Sequence, residues 1–317
     1  MMGRTSFGAL AIACAALAGD VRADVFGTGG NQFTIDFVYV GNVSNGNDGT
    51  AYGGVGYEYQ IAVREVSQDM IDKATASGLT NVTAGAHTGA EPAASISWYE
   101  AAAFVNWLNE SKGYQKAYDL AWTGSTWTQH LWSASEAWVV DGTNLFRHRD
   151  TYYVLPSEDE WYKAAYHKND GITANYWDYA TARDSAPTGT VGGTLPFTAV
   201  YDDAYGSPVP SDPADVDMAG GLSAYGTMGQ NGNVWEWNES ALDGANNSSV
   251  ESRGFRGGDW ASASGNLLAT FRTGSAPGTE ITQIGFRVAM VPEPSGWVWV
   301  LVAAGGLLAA RRGRRRF

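Results

Sequence analysis

The cysteine content constrains this chain more than any other feature of its sequence. Cys14 is the only cysteine among 317 residues, and it lies in an apolar run, residues 7–18, near the N-terminus. Arg4 precedes this run and small residues follow it, a pattern typical of a secretory signal peptide, so we predict cleavage after Ala23. The mature chain would then lack cysteine altogether, which excludes disulfides, zinc–thiolate sites and thiol nucleophiles.

The charge composition limits the partners that the chain can bind. Without its two terminal segments, the chain carries 13 positive and 31 negative side chains over residues 24–291, a net charge of −18. A surface this acidic repels phosphate backbones, so we expect no nucleic-acid partner. Calcium, or a cationic or neutral partner, fits better. The 40 glycines and 13 tryptophans indicate a loop-rich globular fold instead of a helical bundle.

The C-terminal segment, residues 291–317, has three parts in a fixed order. Prolines 292 and 294 interrupt regular structure, residues 297–310 carry no charge, and five arginines lie among the last seven residues. The apolar run would span about 21 Å, and snorkelling arginines could extend it towards the roughly 30 Å of a hydrocarbon core. This arrangement resembles the PEP-CTERM sorting signal, which implies transient anchoring in the inner membrane and a sorting protease as partner. A plain membrane anchor is the alternative.

Local patterns predict a mixture of short strands and helices. Alternating apolar residues predict strands over Phe33–Val40 and Tyr57–Val66. Capping boxes, in which a serine is followed three residues later by a glutamate, predict helices that begin after Ser97 and Ser157. Residues 169–225 show little periodicity and many turn-forming residues, which indicates a long loop that needs an internal support such as a bound ion.

Six motifs follow one another between residues 57 and 290. They are Glu65-Val66-Ser67, Ser97-Trp98, Leu155-Pro156-Ser157-Glu158-Asp159-Glu160-Trp161, GNVWEW at residues 232–237, Arg256-Gly257-Gly258 and Gly285-Phe286-Arg287. Together they resemble the formylglycine-generating enzyme family, also called sulfatase-modifying factor. The resemblance implies an α+β, C-type-lectin-like fold that is loop-rich with little regular secondary structure. It divides the chain into a signal peptide (1–23), an N-terminal strand region (24–56), the family domain (57–290) and the sorting signal (291–317).

The resemblance also bears on catalysis. Family members that make formylglycine bind copper through two cysteines shortly after the Arg-Gly-Gly motif. Ser262 and Leu267 stand near these two positions, and a serine hydroxyl cannot replace a soft thiolate for copper(I). A second branch uses an iron site of three histidines, whereas the four histidines of this chain are widely spaced. We therefore expect neither copper nor iron and assign no catalytic residue. Arg256 and Arg287 are expected to pair with buried carboxylates.

Calcium is the one metal that the resemblance favours. It implies ligands at Gly229, at the carbonyl groups of Gly232 and Val234, and at the carboxylate of Glu236, oxygen donors that suit a hard cation. Gly229 departs from the family, which often has asparagine or aspartate there. The alternative is that Glu236 only stabilises a turn through hydrogen bonds. A second calcium site would involve the loop at 200–217, without named ligands.

The resemblance finally places a variable ligand-binding face over Asp259–Ile281. Side chains there that could contact a sugar or a peptide are Trp260, Ser262, Asn266, Phe271 and Arg272. We favour an exported protein of the cell surface or extracellular matrix whose domain binds an exopolysaccharide or a surface protein without catalysis. The alternatives are an oxidoreductase of the formylglycine-generating type and a structural component of the matrix.

Overall fold

The computed structural model describes residues 21–202 and 210–292. All but the last three residues of the predicted signal peptide, and the predicted sorting segment from Glu293 onward, lie outside these residues. Within residues 21–202 and 210–292, no helix is long and apolar enough to cross a membrane.

Regular structure in the described residues is limited to short elements. The helices are α1 (Gln68–Ala76), α2 (Trp98–Ser111) and α3 (Glu158–Tyr166), with 3₁₀ turns at Gly29–Asn31 and Ser264–Leu267. The strands are β1 (Val21–Phe26), β2 (Phe33–Val40), β3 (Tyr59–Ala62), β4 (Asp119–Trp122), β5 (Trp127–His130), β6 (Ala137–Trp138), β7 (Asn144–His148), β8 (Tyr153–Val154), β9 (Thr188–Gly189), β10 (Thr198–Ala199), β11 (Trp235–Ala241), β12 (Arg253–Arg256), β13 (Thr273–Ser275), β14 (Ile284–Gly285) and β15 (Ala289–Met290).

Two sheets contain most of these strands. The larger is antiparallel, with the order β1-β2-β3-β15-β8, and β1 pairs with β2 from Val21 opposite Val38 to Phe26 opposite Phe33. The smaller has the order β13-β12-β11-β14, in which β14 runs parallel to β11. Strands β4–β5, β6–β7 and β9–β10 form separate pairs. The loop-rich α+β architecture predicted from the sequence is confirmed.

Both predicted helix starts are present with complete capping boxes. The Ser97 hydroxyl accepts from the backbone N–H of Glu100, whose carboxylate accepts from the Ser97 N–H at 2.9 Å. Ser157 and Glu160 are bonded in the same reciprocal way, with the backbone bond of Ser157 at 2.6 Å. These bonds satisfy N–H groups that the first turn of a helix leaves free.

The two predicted strands differ in how far they extend. β2 covers Phe33–Val40 as predicted. The strand predicted over Tyr57–Val66 is wrong in length, because β3 contains only Tyr59–Ala62. The chain leaves the sheet after β3, since the N–H of Val66 donates to the carbonyl of Phe286, which lies outside any strand.

The main core is built around tryptophans whose polar ends are satisfied. Trp98 at the start of α2 and Trp237 in β11 are fully buried. The indole N–H of Trp98 donates to the carbonyl of Asn238, and that of Trp237 donates to the carbonyl of Ile96, both at 3.0 Å. This pair of bonds fixes the start of α2 against β11 while both indole rings contribute apolar area to the core.

A buried charge network connects β7, α3 and β11. The guanidinium of Arg147 in β7 binds both oxygens of Glu160 in α3 at 2.9 Å and also lies 2.9 Å from Glu239 in β11. The hydroxyls of Tyr57 and Tyr118 add bonds to Glu160 and Glu239, at 2.5 and 2.9 Å. Although burial opposes ionisation, the bonds from Arg147 keep the pKa of Glu160 below its usual range. Burial outweighs the same attraction at Glu239 and raises its pKa.

Removing Arg147 should destabilise the protein strongly. In Arg147→Met the two buried glutamates lose their common partner, and we expect a loss of about 3–5 kcal/mol in the free energy of unfolding. The measurement is urea denaturation of the full-length chain. Arg149→Met is the control, because Arg149 is exposed and lies 3.6 Å from Asp150, so the loss should be about 0–1 kcal/mol. Equal losses in both variants would show that the network contributes no more than a surface pair.

Candidate functional site

The loop after β12 begins with two glycines in the left-handed region. Gly257 has φ 102° and Gly258 φ 76°, conformations that other residues rarely adopt. A Cβ on Gly258 would lie 2.6 Å from Leu267 Cδ1 and 3.4 Å from Ser262 Cβ. Ser262 and Leu267, which the resemblance sets near the two cysteine positions of the formylglycine-forming enzymes, therefore both lie beside Gly258. A hydroxyl and an isobutyl group occupy this point, and neither is a soft donor for copper.

Two of the predicted ligand residues lie beneath the surface of this loop. Trp260 is only 7% exposed and packs edge-on against His87, with ring centroids 5.3 Å apart. Ser262 is 8% exposed, and its hydroxyl donates to Asp259 at 2.6 Å. Burial raises the pKa of Asp259, although this bond partly offsets the effect. Both side chains support the loop from within.

The remaining predicted ligand residues are half-buried. Phe271 packs against Trp235 at 5.7 Å, and Arg272 Nε donates to Glu158 at 2.7 Å. Asn266 lies in the 3₁₀ turn Ser264–Leu267, and its side chain makes no hydrogen bond with the described residues. Of the five residues, Asn266 has the side chain with the greatest freedom to contact a partner.

The predicted pairing of both motif arginines is confirmed. Arg256 and Arg272 share the carboxylate of Glu158, the first residue of α3, and Arg256 also donates to the carbonyl of Phe271 at 2.6 Å. This fastens the loop to the helix. Arg287 binds both oxygens of Glu236 at 2.6 Å, and the indole N–H of Trp161 donates to the same carboxylate at 2.8 Å.

The segment predicted to bind calcium is a tight turn in front of β11. Gly229 and Gly232 have φ 79° and 80°, and Val234 is fully buried. Glu236, the predicted carboxylate ligand, is neutralised by Arg287. A calcium ion at Glu236 would have to compete with this guanidinium for both oxygens, so the fit there is poor.

A second carboxylate that the sequence did not single out as a ligand lies beside Gly229. A Cβ on Gly229 would lie 2.4 Å from Glu65 Oε1, so Glu65 fills the space that an asparagine or aspartate at 229 would use. Glu65 Oε1 accepts from Asn233 at 2.9 Å, whereas the buried Oε2 has no partner among the described residues. Burial raises the pKa of Glu65 to about 7, against the attraction of Arg287.

The donor set around Gly229 fits a hard cation better than that at Glu236, since it offers an unpartnered carboxylate oxygen. Within residues 21–202 and 210–292, no three His, Cys, Asp or Glu side chains are grouped closely enough to hold a metal ion by themselves. Backbone carbonyls of the turn would have to complete the coordination. The sequence feature that could have indicated Glu65 is its place in the Glu65-Val66-Ser67 motif, in which Ser67 caps helix α1.

A protein-family model matches most of the residues that the structure describes. The sulfatase-modifying factor enzyme 1-like domain matches residues 34–291. The chain belongs to this family. The matched range of this sulfatase-modifying factor domain includes β2, which lies in the segment that the sequence set apart as an N-terminal strand region. No curated protein matches the chain.

Two solved structures with TM-scores above 0.5 support the same fold. Treponema denticola variable protein 1 is 20% identical with a TM-score of 0.56, and the match covers 85% of this chain and 99% of that protein. CarF is 21% identical with a TM-score of 0.51, over 81% of this chain and 98% of CarF. PvdO from Pseudomonas aeruginosa is 16% identical with a TM-score of 0.49, over 85% and 98%. With the family match, the predicted C-type-lectin-like fold is confirmed.

Proposed function

We propose that this protein is an exported ligand-binding module that uses the sulfatase-modifying factor fold without its oxidase chemistry. The observation that supports the proposal is that Ser262 and Leu267 both lie beside Gly258, near the positions at which the resemblance places the copper-binding thiols of formylglycine-forming members. A closed, thiol-free loop can still present a binding surface. The partner that we propose is an exopolysaccharide or a surface protein, since the net charge of −18 over residues 24–291 disfavours polyanions such as nucleic acid.

The binding face lies on the outer side of residues 259–281. The buried side chains of Trp260 and Ser262 support the loop from inside, and Arg272 binds Glu158 where the chain leaves the loop. Asn266, Phe271 and Arg272 are half-exposed and form the part of the predicted set that a ligand can reach. The amide of Asn266, with donor and acceptor groups available, is suited to hydroxylated ligands.

Binding should be saturable and should depend on Asn266. We expect the full-length chain, immobilised for biolayer interferometry, to bind at least one member of a panel of purified neutral and cationic bacterial polysaccharides. Asn266→Ala should weaken this binding about fivefold, as expected for one hydrogen bond worth about 1 kcal/mol. Asn31→Ala is the control, because Asn31 is also half-exposed in a 3₁₀ turn. Binding that never saturates would favour the structural matrix component, whereas saturable binding that both substitutions leave unchanged would contradict the assignment of the face at residues 259–281.

Calcium is proposed as a structural ligand of the turn at Gly229, with Glu65 as its carboxylate ligand in place of Glu236. The free Oε2 of Glu65 and its position beside Gly229 support this assignment. Glu236 would keep its role as the partner of Arg287. The metal would neutralise a buried carboxylate and would tie β3 to the segment before β11.

Calcium should raise the melting temperature of the full-length chain, because a ligand that binds only the folded state stabilises it. Glu65→Gln should abolish the increase, since an amide keeps the shape of the carboxylate and removes its charge. Glu91→Gln is the control, because Glu91 is a half-exposed carboxylate bonded to Thr88. The measurement is differential scanning fluorimetry with calcium or EDTA. If EDTA and calcium give the same melting curve, hydrogen bonds alone hold the turn.

Export and sorting are proposed from the two terminal segments. The signal peptide would direct the chain out of the cytoplasm, and the apolar run at 297–310 would hold it transiently in the inner membrane. A sorting protease would then cut near Pro292 and release the domain to the cell surface or the exterior. The five arginines after residue 310 would remain in the cytoplasm.

Processing should depend on the five C-terminal arginines. In the native host, the mature protein should lack the tail, so that its mass by intact mass spectrometry ends near residue 292. Replacing the five arginines with glutamine should leave the protein uncut or misdirected, because the positive charges set the orientation of the segment. Replacing the internal Arg149 and Arg183 with glutamine should not affect processing. A secreted protein that still ends at Phe317 would rule out both an anchor and a sorting signal.

A further inference from the structure

A polar cavity of about 210 Å³ lies on the structure away from the loop after β12. It is formed by four separate segments, and none of its lining residues was predicted to bind a ligand. Those used below are Tyr57, Trp138, Asp141, Asp159 and Asn246. Its volume is below the range of about 300–1,000 Å³ that is usual for drug-sized ligands, so it suits a single small ring.

Two aspartates in the cavity form no ion pair with the described residues, although Lys163 lies close enough to attract Asp141. Asp141 Oδ2 accepts from the N–H of Gly56 at 2.6 Å, and Asp159 Oδ1 accepts from the N–H of Gly53 at 2.8 Å. In each side chain the second oxygen has no hydrogen bond with the described residues. The nearby Arg147 does not neutralise them, because it already binds two glutamates.

The electrostatic environment of Asp159 favours a cation. The pKa of Asp159 is raised to about 6, mainly by burial. The negative charges of Glu158, Glu160 and Asp141 contribute to this increase, whereas the bond from Gly53 opposes it. A positive charge next to its free oxygen would relieve this repulsion.

The cavity also has a donor and an aromatic wall. Asn246 is 8% exposed, its Oδ1 accepts from the N–H of Ala241 at 2.7 Å, and its Nδ2 has no partner in the described part of the chain. An amide N–H without a partner on the cavity wall can donate to an acceptor from outside the chain. Trp138 and Tyr57 stand edge to face, with ring centroids 5.5 Å apart.

We propose that this cavity binds one amino-sugar ring, with its protonated amine between Asp141 and Asp159 and a hydroxyl oxygen accepting from Asn246. Two carboxylates recognise the ammonium group, the amide recognises a neutral oxygen, and the aromatic wall faces the ring carbons. A metal ion is less suitable, since the amide N–H of Asn246 and the aromatic wall are not metal ligands. The cavity is a second site, separate from the face at residues 259–281. The inference rests on the proposed function in one respect, because it names the chemical class of residue through which a polysaccharide partner would also contact the module here.

The test is isothermal titration calorimetry of the full-length chain at pH 7 with methyl β-glucosaminide, and with its N-acetylated analogue as the uncharged probe. We expect saturable binding of the amine and at least tenfold weaker binding of the acetylated sugar. Asp159→Asn and Asp141→Asn should each weaken binding of the amine at least tenfold. Both variants retain the oxygen that accepts the backbone N–H, and asparagine suits the φ of 63° at position 141. Asp178→Asn, at an exposed position outside the cavity, should bind as the unaltered chain does.

Three outcomes would overturn the inference. The first is equal binding of the two sugars, and the second is unchanged binding of the amine by the Asp141 and Asp159 variants. The third is displacement of the sugar by calcium from the unaltered chain but not from these variants. The failure of this inference is distinct from failure of the proposed function. If the polysaccharide panel shows saturable binding while the glucosaminide does not bind, the module binds its ligand elsewhere and only the cavity assignment is lost. Absence of binding in both assays would contradict the two together.

Discussion

The rest of the structure depends on how three consecutive acidic residues at the start of α3 are placed. Glu158, Asp159 and Glu160 share one helical turn, where the helix dipole favours negative charge. Glu160 binds Arg147, and Asp159 borders the polar cavity. Glu158 binds Arg256 of β12 and Arg272, which directly precedes β13. One turn of helix thus connects the β6–β7 pair, the smaller sheet and the outer surface. A buried charge without a partner is energetically costly, so the ion pairs of Glu158 and Glu160 fix the position of this turn relative to their arginine partners.

This arrangement explains how a fold with so little regular structure remains well defined. Most strands are two to five residues long, and backbone ladders of that length specify register weakly. Directed bonds from buried side chains supply what the ladders lack. Arg287 on Glu236 and the reciprocal indole bonds of Trp98 and Trp237 act in the same way as Arg147. Conformational specificity here comes mainly from polar contacts inside an aromatic core.

The sequence predicted those features whose cause is local. The capping boxes at Ser97 and Ser157 need only residues within one turn, and both are present. The pairing of Arg256 and Arg287 followed from the rule that a buried charge needs a partner, although the identity of the partner did not. The end of β3 was not predictable, because it depends on a bond between Val66 and Phe286, over two hundred residues apart.

The candidate sites were harder to predict from the sequence, because they also depend on contacts between residues that are far apart in the chain. Trp260 resembles an exposed stacking residue in the sequence, yet His87 and a distant apolar cluster cover it. Glu65 reaches the turn at Gly229 because the missing side chain there leaves room for it. The polar cavity brings together segments near residues 55, 140, 159 and 246, and no pattern within any one of them indicates it.

The register of β1 on β2 has a consequence for the mature protein. Val21, Arg22 and Ala23 pair with Val38, Phe37 and Asp36, so cleavage after Ala23 would remove half of this outermost strand. The backbone groups of β2 between Asp36 and Val38 would then lack their neighbour, so this part of β2 would replace β1 as the edge of the larger sheet. Exposed edges are the places where sheets accept further strands. Maturation of this chain would in this way create a docking edge that its precursor keeps covered with its own leader.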